Sequence, residues 1–63
     1  GDIMKTQNYV YVIQYNGSIS QLGFDSIEKA QQWLIDERDC TEINKWTYKN
    51  NGEHYYIMEI KIV

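Results

Sequence analysis

The chain has 63 residues, nine of them acidic against six Lys or Arg, and a formal net charge of −3. This length predicts one domain near the lower limit for independent folding, and the lack of proline argues against a disordered tail. A general polyanion-binding protein would be basic, so the negative balance disfavours that class. Aromatic residues make up 14% of the sequence, which indicates that a few large side chains fill a small core.

The composition also suggests a setting. No apolar run is long enough to cross a bilayer, and no signal-peptide pattern opens the sequence. The single cysteine, Cys40, cannot form an internal disulfide, which is typical of a reducing compartment. We therefore expect a cytoplasmic protein. Ile, Asn, Lys and Tyr are abundant whereas Ala and Arg occur once each, a codon bias that favours a low-GC bacterium, a phage or a prophage as the source.

The first half of the sequence predicts a hairpin. Residues 1–8 are expected to form a loose lead-in, and residues 9–63 a single α+β domain. Residues 9–15, YVYVIQY, are β-branched or aromatic almost throughout and predict a strand. Asn16-Gly17 predicts a tight type I′ turn, after which residues 18–22 return as a second strand. That turn would place Tyr15 opposite Ser18 and Tyr11 opposite Leu22.

The next segment, FDSIEKAQQWLIDER at residues 24–38, has the only helical period in the sequence. Its apolar residues recur at the spacing of one helix face and are Ile27, Ala30, Trp33 and Leu34. Asp25 or Ser26 is the expected N-cap. Such a short helix is marginal in water by itself, so we expect its apolar stripe to pack on the sheet.

The last third predicts a second hairpin, with strands at residues 43–49 and 54–62. A three-residue loop, Asn50-Asn51-Gly52, would oppose Lys49 to Glu53 and is the favoured arrangement. A two-residue turn at Asn51-Gly52 would instead pair Tyr48 with Tyr55. The predicted fold is thus ββαββ, one four-stranded antiparallel sheet of two hairpins with a single helix packed on one face. The long first and last strands are expected to be central because they are the most apolar.

The sequence contains no pattern of residues typical of catalysis or metal binding. A zinc site would need partners that the single histidine, His54, lacks, and Cys40 has no neighbouring base that would activate it as a nucleophile. The glycines lie in expected turns and form no phosphate-binding signature. We therefore predict a protein that is not an enzyme and that uses no cofactor or metal.

The face of the sheet that the helix leaves open is the candidate functional surface. A sheet covered on one side should alternate apolar and polar residues, yet the other side also keeps large apolar side chains. The candidates for this side are Val10, Val12, Ile19, Tyr55 and Ile57. Since exposed apolar patches mark association sites, we predict a small protein-binding module that forms a homodimer or binds a host protein through this face or a strand edge.

Two alternatives remain open at this point. Lys45, Trp46, Tyr48 and Lys49 place cations and aromatic rings on one hairpin, a combination that can bind nucleic acid by stacking and phosphate contact. The acidic helix could instead imitate a nucleic-acid backbone and inhibit a DNA-binding protein. Neither a membrane nor a small-molecule cofactor is an expected partner.

Overall fold

The computed structural model describes residues 8–62, so the predicted lead-in lies outside the described residues except for Asn8. The elements are β1 (Tyr9–Tyr15), β2 (Ser18–Phe24), α1 (Ile27–Arg38), β3 (Thr41–Asn44), β4 (Thr47–Asn50) and β5 (Glu53–Lys61). The strands form one antiparallel sheet in the order β2-β1-β5-β4-β3. The helix packs on one face of this sheet, against β1, β5 and β2. The first and last strands are adjacent and central, as predicted.

The predicted four-stranded ββαββ fold is wrong, because the sheet has five strands and the order is ββαβββ. The segment predicted as one strand, residues 43–49, reverses at Lys45-Trp46 and separates β3 from β4. The side-chain oxygen of Asn44 accepts a hydrogen bond from the Trp46 N–H at 2.9 Å, a local contact that stabilises turns. On the helix, Gln31 Nε2 donates to the Lys45 carbonyl at 3.1 Å and holds the turn against α1.

Both of the turns that contain Asn-Gly are two-residue turns. Asn16 and Gly17 have φ values of 54° and 82°, the positive values that a type I′ turn requires, and the predicted first turn is confirmed. Asn51 and Gly52 repeat these values at 51° and 82°, and Tyr48 lies opposite Tyr55. The favoured three-residue loop is therefore wrong and the two-residue alternative is correct.

The edge strand β2 contains a bulge that changes its register with β1. Tyr11 lies opposite Phe24 rather than the predicted Leu22. Within the irregular region the Ile13 N–H donates to the hydroxyl oxygen of Ser20 at 3.2 Å, and that hydroxyl donates to the Leu22 carbonyl at 3.2 Å. The serine side chain thus replaces a missing ladder partner, which is how a buried backbone donor remains satisfied at a bulge.

The hydrophobic core lies between α1 and the centre of the sheet. Ala30 and Leu34 are fully buried on the helix and belong to the same cluster as Ile13, Tyr48 and Ile57. Ile13 and Ile57 lie directly opposite each other on β1 and β5, so they present adjacent side chains to the helix. The predicted helical stripe is thus the face that packs on the sheet.

The ends of the helix are closed by local hydrogen bonds. Ser26 is the N-cap, and its hydroxyl accepts from the Lys29 N–H at 3.3 Å, which satisfies one of the free donors of the first turn. At the other end Asp39 adopts a left-handed conformation with φ of 55°. The next N–H, of Cys40, returns to the Leu34 carbonyl at 3.1 Å, and the chain leaves the helix toward β3.

Replacing the N-cap tests how much this helix start contributes to stability. We expect Ser26→Ala to lower the free energy of unfolding by about 1 kcal/mol, because the Lys29 N–H loses its acceptor. Ser26→Asp is the matched control, since its carboxylate can accept the same hydrogen bond and also favours the positive end of the helix. Urea denaturation followed by circular dichroism measures both variants. Equal stability of the alanine variant and the unaltered chain would contradict the assignment.

Candidate interaction surface

Alternation along the strands gives the sheet two faces of different surroundings. One face, which carries Ile13, Tyr48 and Ile57, packs against the helix. The other, here called the uncovered face, carries the cross-strand pairs Val12 with Met58 and Val10 with Ile60. The same alternation and the register place these further residues on the uncovered face: Gln14, Ile19, Gly23, Thr41, Thr47, Lys49, His54, Tyr56 and Ile62.

The middle of the uncovered face is a continuous apolar patch. Val12 is buried by its neighbours, and Val10 and Met58 are half-buried. Around them the patch is exposed, at Ile19, Tyr56, Ile60 and Ile62. On the β2 side Gly23 leaves room for the Val10 side chain, since a Cβ there would come within 2.9 Å of Val10 Cγ2. The apolar patch is therefore centred on β1 and β5, and Gln14 lies between Ile19 of β2 and Tyr56 of β5.

Charge is distributed unequally between the two sides of the sheet. The described carboxylates lie on or beside α1, or at strand positions that face the helix side: Asp25, Glu28, Asp36, Glu37, Asp39, Glu42, Glu53 and Glu59. Among residues 8–62 the uncovered face has no carboxylate, and its charged group is Lys49, which lies opposite His54 beside the β4–β5 turn. The apolar patch is therefore nearly neutral in a chain of net charge −3.

The structure separates the five predicted uncovered-face residues into two groups. Val10, Val12 and Ile19 lie on the uncovered face. Tyr55 and Ile57 lie on the helix-covered face, where Ile57 is 5% exposed, so they do not belong to the open surface. The reason is the direct pairing of β5 with β1, which places Ile57 opposite the core residue Ile13.

The residues that sequence reasoning left out of the surface are Tyr56, Met58, Ile60 and Ile62. They alternate along β5 and so share a face, which is visible in the sequence. Because the intervening positions of β5 also include large apolar residues, Tyr55 and Ile57, periodicity alone does not indicate which set faces the helix. The non-local register with β1 makes that choice.

The residues of the proposed nucleic-acid hairpin do not form one surface. Lys45 and Trp46 occupy the β3–β4 turn, where the lysine ammonium lies 5.3 Å from the centre of the indole ring. Tyr48 is in the core and 1% exposed, so its ring is unable to stack on a base. Lys49 lies on the uncovered face. One exposed aromatic ring therefore remains beside one lysine in the turn.

A shallow groove lies on the helix side, between the second half of α1 and the first hairpin. Its volume is about 330 Å³, and its lining residues are Ile13, Tyr15, Ser18, Ser20, Trp33, Arg38 and Tyr55. Ile19 of the edge strand β2 also lines this groove, so it borders the helix side as well as the uncovered face. The rings of Tyr15 and Tyr55 stack with their centres 4.6 Å apart, and the Arg38 guanidinium lies 5.1 Å from the centre of the Trp33 ring. The described lining residues include no histidine, cysteine or carboxylate.

Several titratable groups on the helix side have altered pKa values. The Tyr11 hydroxyl donates to Glu59 Oε2 at 2.9 Å, and this hydrogen bond raises the pKa of Tyr11. A hydrogen bond to Glu53 likewise raises the pKa of Tyr15. Burial raises the pKa of the Cys40 thiol, which keeps it protonated at neutral pH and makes it a poor nucleophile.

The described residues also show no metal-binding cluster and no membrane-spanning helix. Within residues 8–62 no group of three or more His, Cys, Asp or Glu side chains is arranged to hold a metal ion. In the same part of the chain no helix combines the length and apolar character needed to cross a membrane. Comparisons with family models, curated proteins and solved structures find no match.

The pair formed by Tyr11 and Glu59 predicts a pH dependence. Because the folded state raises the pKa of Tyr11, its contribution to stability is complete below about pH 10, the ordinary tyrosine pKa, and is lost as pH rises through the folded-state value. We expect Glu59→Gln to lower the pKa of Tyr11 toward its ordinary value and to weaken this loss. Ultraviolet titration of tyrosinate and urea denaturation at several alkaline pH values measure both effects.

Tyr11→Phe is the control for that experiment, since it removes the titrating group itself. The double variant with Tyr11→Phe and Glu59→Gln should match Tyr11→Phe alone in its alkaline pH profile. If Glu59→Gln left the tyrosinate titration unchanged, the carboxylate would not be the cause of the raised pKa.

Proposed function

We propose that this chain is a small non-catalytic binding module that associates with another protein surface through its uncovered face. The observation that carries the proposal is the apolar patch, in which Val10 and Val12 of β1 lie beside Met58, Ile60 and Ile62 at the β5 side. Monomers rarely expose contiguous apolar patches larger than a few hundred Å², and the largest patch on a monomer, typically about 300–600 Å², is often a functional site. Strands about 4.8 Å apart that rise about 3.3 Å per residue give the three long strands an area of roughly 350 Å² in projection.

The arrangement of the patch is that of an interface centre. Its middle is apolar, and polar groups such as Gln14, Thr47 and His54 lie toward its rim. Protein interfaces commonly combine a dehydrated apolar or aromatic centre with a polar border. Tyr56, exposed on this face, is of the residue type that is enriched among strong interface contacts.

The face is better suited to association than either edge of the sheet. The edge strand β2 carries the bulge with β1, and the other edge, β3, has four residues with an irregular register to β4. Bulges and short edge strands reduce pairing with an added strand. We therefore assign the contact to side chains of the uncovered face rather than to backbone pairing.

The two alternatives have less support. Burial of Tyr48 removes a ring from the nucleic-acid hairpin, and the remaining lysine of the β3–β4 turn lies over Trp46. The hairpin therefore lacks the concentrated positive charge that nucleic-acid contact requires. On the acidic helix Asp25 pairs with Lys29 at 3.0 Å, which partly offsets its charge. A net charge of −3 is small for a protein that imitates a nucleic-acid backbone.

Photocrosslinking in cells tests the proposed surface without assuming its partner. A benzophenone amino acid at position 56 of the full chain should give crosslinked adducts, because Tyr56 is exposed within the apolar patch. The same probe at position 35 is the control, since Ile35 is similarly exposed but lies on the helix. Adducts that join two copies of this chain and adducts that join this chain to another protein are both outcomes that the proposed function expects. No excess of adducts at position 56 over position 35 would overturn the proposed function.

A further inference from the structure

We infer that the partner of the uncovered face is a second copy of this chain, packed sheet to sheet with the helices on the outside. This inference rests on the proposed function and names its partner. The resulting dimer would have four layers, helix, sheet, sheet and helix, in which the two apolar patches form a shared core. The charge, symmetry and extent of the surface lead to this choice.

Charge argues against a strongly charged partner for this face. A basic partner would be drawn to the helix side, where the described carboxylates lie. An acidic partner would be repelled by the net charge of −3 and would find Lys49 as the one charged group among the described residues of the uncovered face. A nearly neutral apolar patch fits another nearly neutral apolar patch, and the chain itself provides one.

A two-fold arrangement keeps like charges apart. The centre of the apolar patch lies near the Val12 and Met58 pair, whereas Lys49 lies off-centre on β4 beside the β4–β5 turn. A two-fold rotation about the patch centre therefore opposes apolar residues and leaves the two Lys49 side chains apart. Packed sheets lie about 10 Å apart, and the acidic helices lie still further apart on the outer sides, beyond the Debye length of about 8 Å at physiological salt.

The extent of the sheet limits how large a dimer interface on this face can be. With β4 and β3 included as a rim, the projected area of the uncovered face is on the order of 500 Å². Its accessible area is larger because side chains stand up from the sheet. Small specific interfaces bury about 600 Å² of each partner. A contact that uses most of the uncovered face therefore comes close to the size of a small specific interface, whereas a contact at one corner would not.

Sedimentation velocity of the purified full chain across micromolar concentrations tests the dimer. We expect a concentration-dependent dimer that Ile60→Lys weakens by about a hundredfold or more in its dissociation constant, because the substitution places an unpaired charge within the apolar interface twice. Ile35→Lys is a matched control, since Ile35 is 43% exposed on the helix and Ile60 is 39% exposed on β5. That control should change the dissociation constant by less than about threefold, the scale of ordinary surface substitutions.

Circular dichroism and thermal melting show whether each variant is folded. If Ile60→Lys does not fold, Ile60→Thr keeps the β-branched shape and should still weaken the dimer. Raising the salt concentration should leave the dimer intact, since no charge pair holds it together; dissociation by salt would overturn the inference. A dimer equally weakened by the Ile35 and Ile60 substitutions would also overturn it.

The two proposals fail in different ways. A monomer at all concentrations whose position-56 probe crosslinks to another protein would overturn the homodimer and leave the proposed function standing. A monomer without position-56 adducts would overturn both. A dimer whose position-56 adducts join two copies of the chain would support both.

Discussion

The pairing of β1 with β5 is the contact on which the rest of this structure depends. It brings the first and last strands together at the centre of the sheet and places Ile13 directly opposite Ile57. Those two side chains, with Tyr48, form the platform that buries Ala30 and Leu34 of the helix. A slip of one residue would exchange the two faces of β5, because successive side chains point to opposite sides of a strand. The register is therefore maintained by the burial of the helix stripe.

The same register determines which apolar residues are left outside. One helix is enough to cover one face of this sheet, and β5 is apolar on both faces, so Tyr56, Met58 and Ile60 remain opposite the core. Among the elements of residues 8–62, the single helix lies on the opposite face and does not cover them. The exposure of the patch thus follows from a simple constraint. The one helix of the described residues covers one face of the sheet, whereas the central strands carry apolar residues on both faces.

Polar groups are arranged to leave this face undisturbed. The carboxylates of β5 point toward the helix side, where Glu59 accepts from the Tyr11 hydroxyl and Glu53 raises the pKa of Tyr15. Gln31 and Asn50 use their amides to tie the helix to the β3–β4 turn and to β4, at 3.1 Å and 2.7 Å. The hydrogen-bonded and charged side chains are therefore concentrated on the face that already has a partner within the chain.

What the sequence determined by itself was local. The Asn16-Gly17 turn, a helix cap at Asp25 or Ser26, the helical stripe through Ala30 and Leu34, and the long apolar strands all depend on residues close together in the chain. The turn at Lys45-Trp46 was missed because it contains neither glycine nor proline and depends on Asn44 and on a helix contact. For the candidate surface, alternation within one hairpin was enough to choose Val10, Val12 and Ile19. The sequence did not indicate which face of the sheet carries Ile57 and which carries Ile60. Only the tertiary structure decided which face of β5 is covered. A strand that is apolar on both sides gives no local signal, so its covered face depends on the distant strand it pairs with and on where the helix packs.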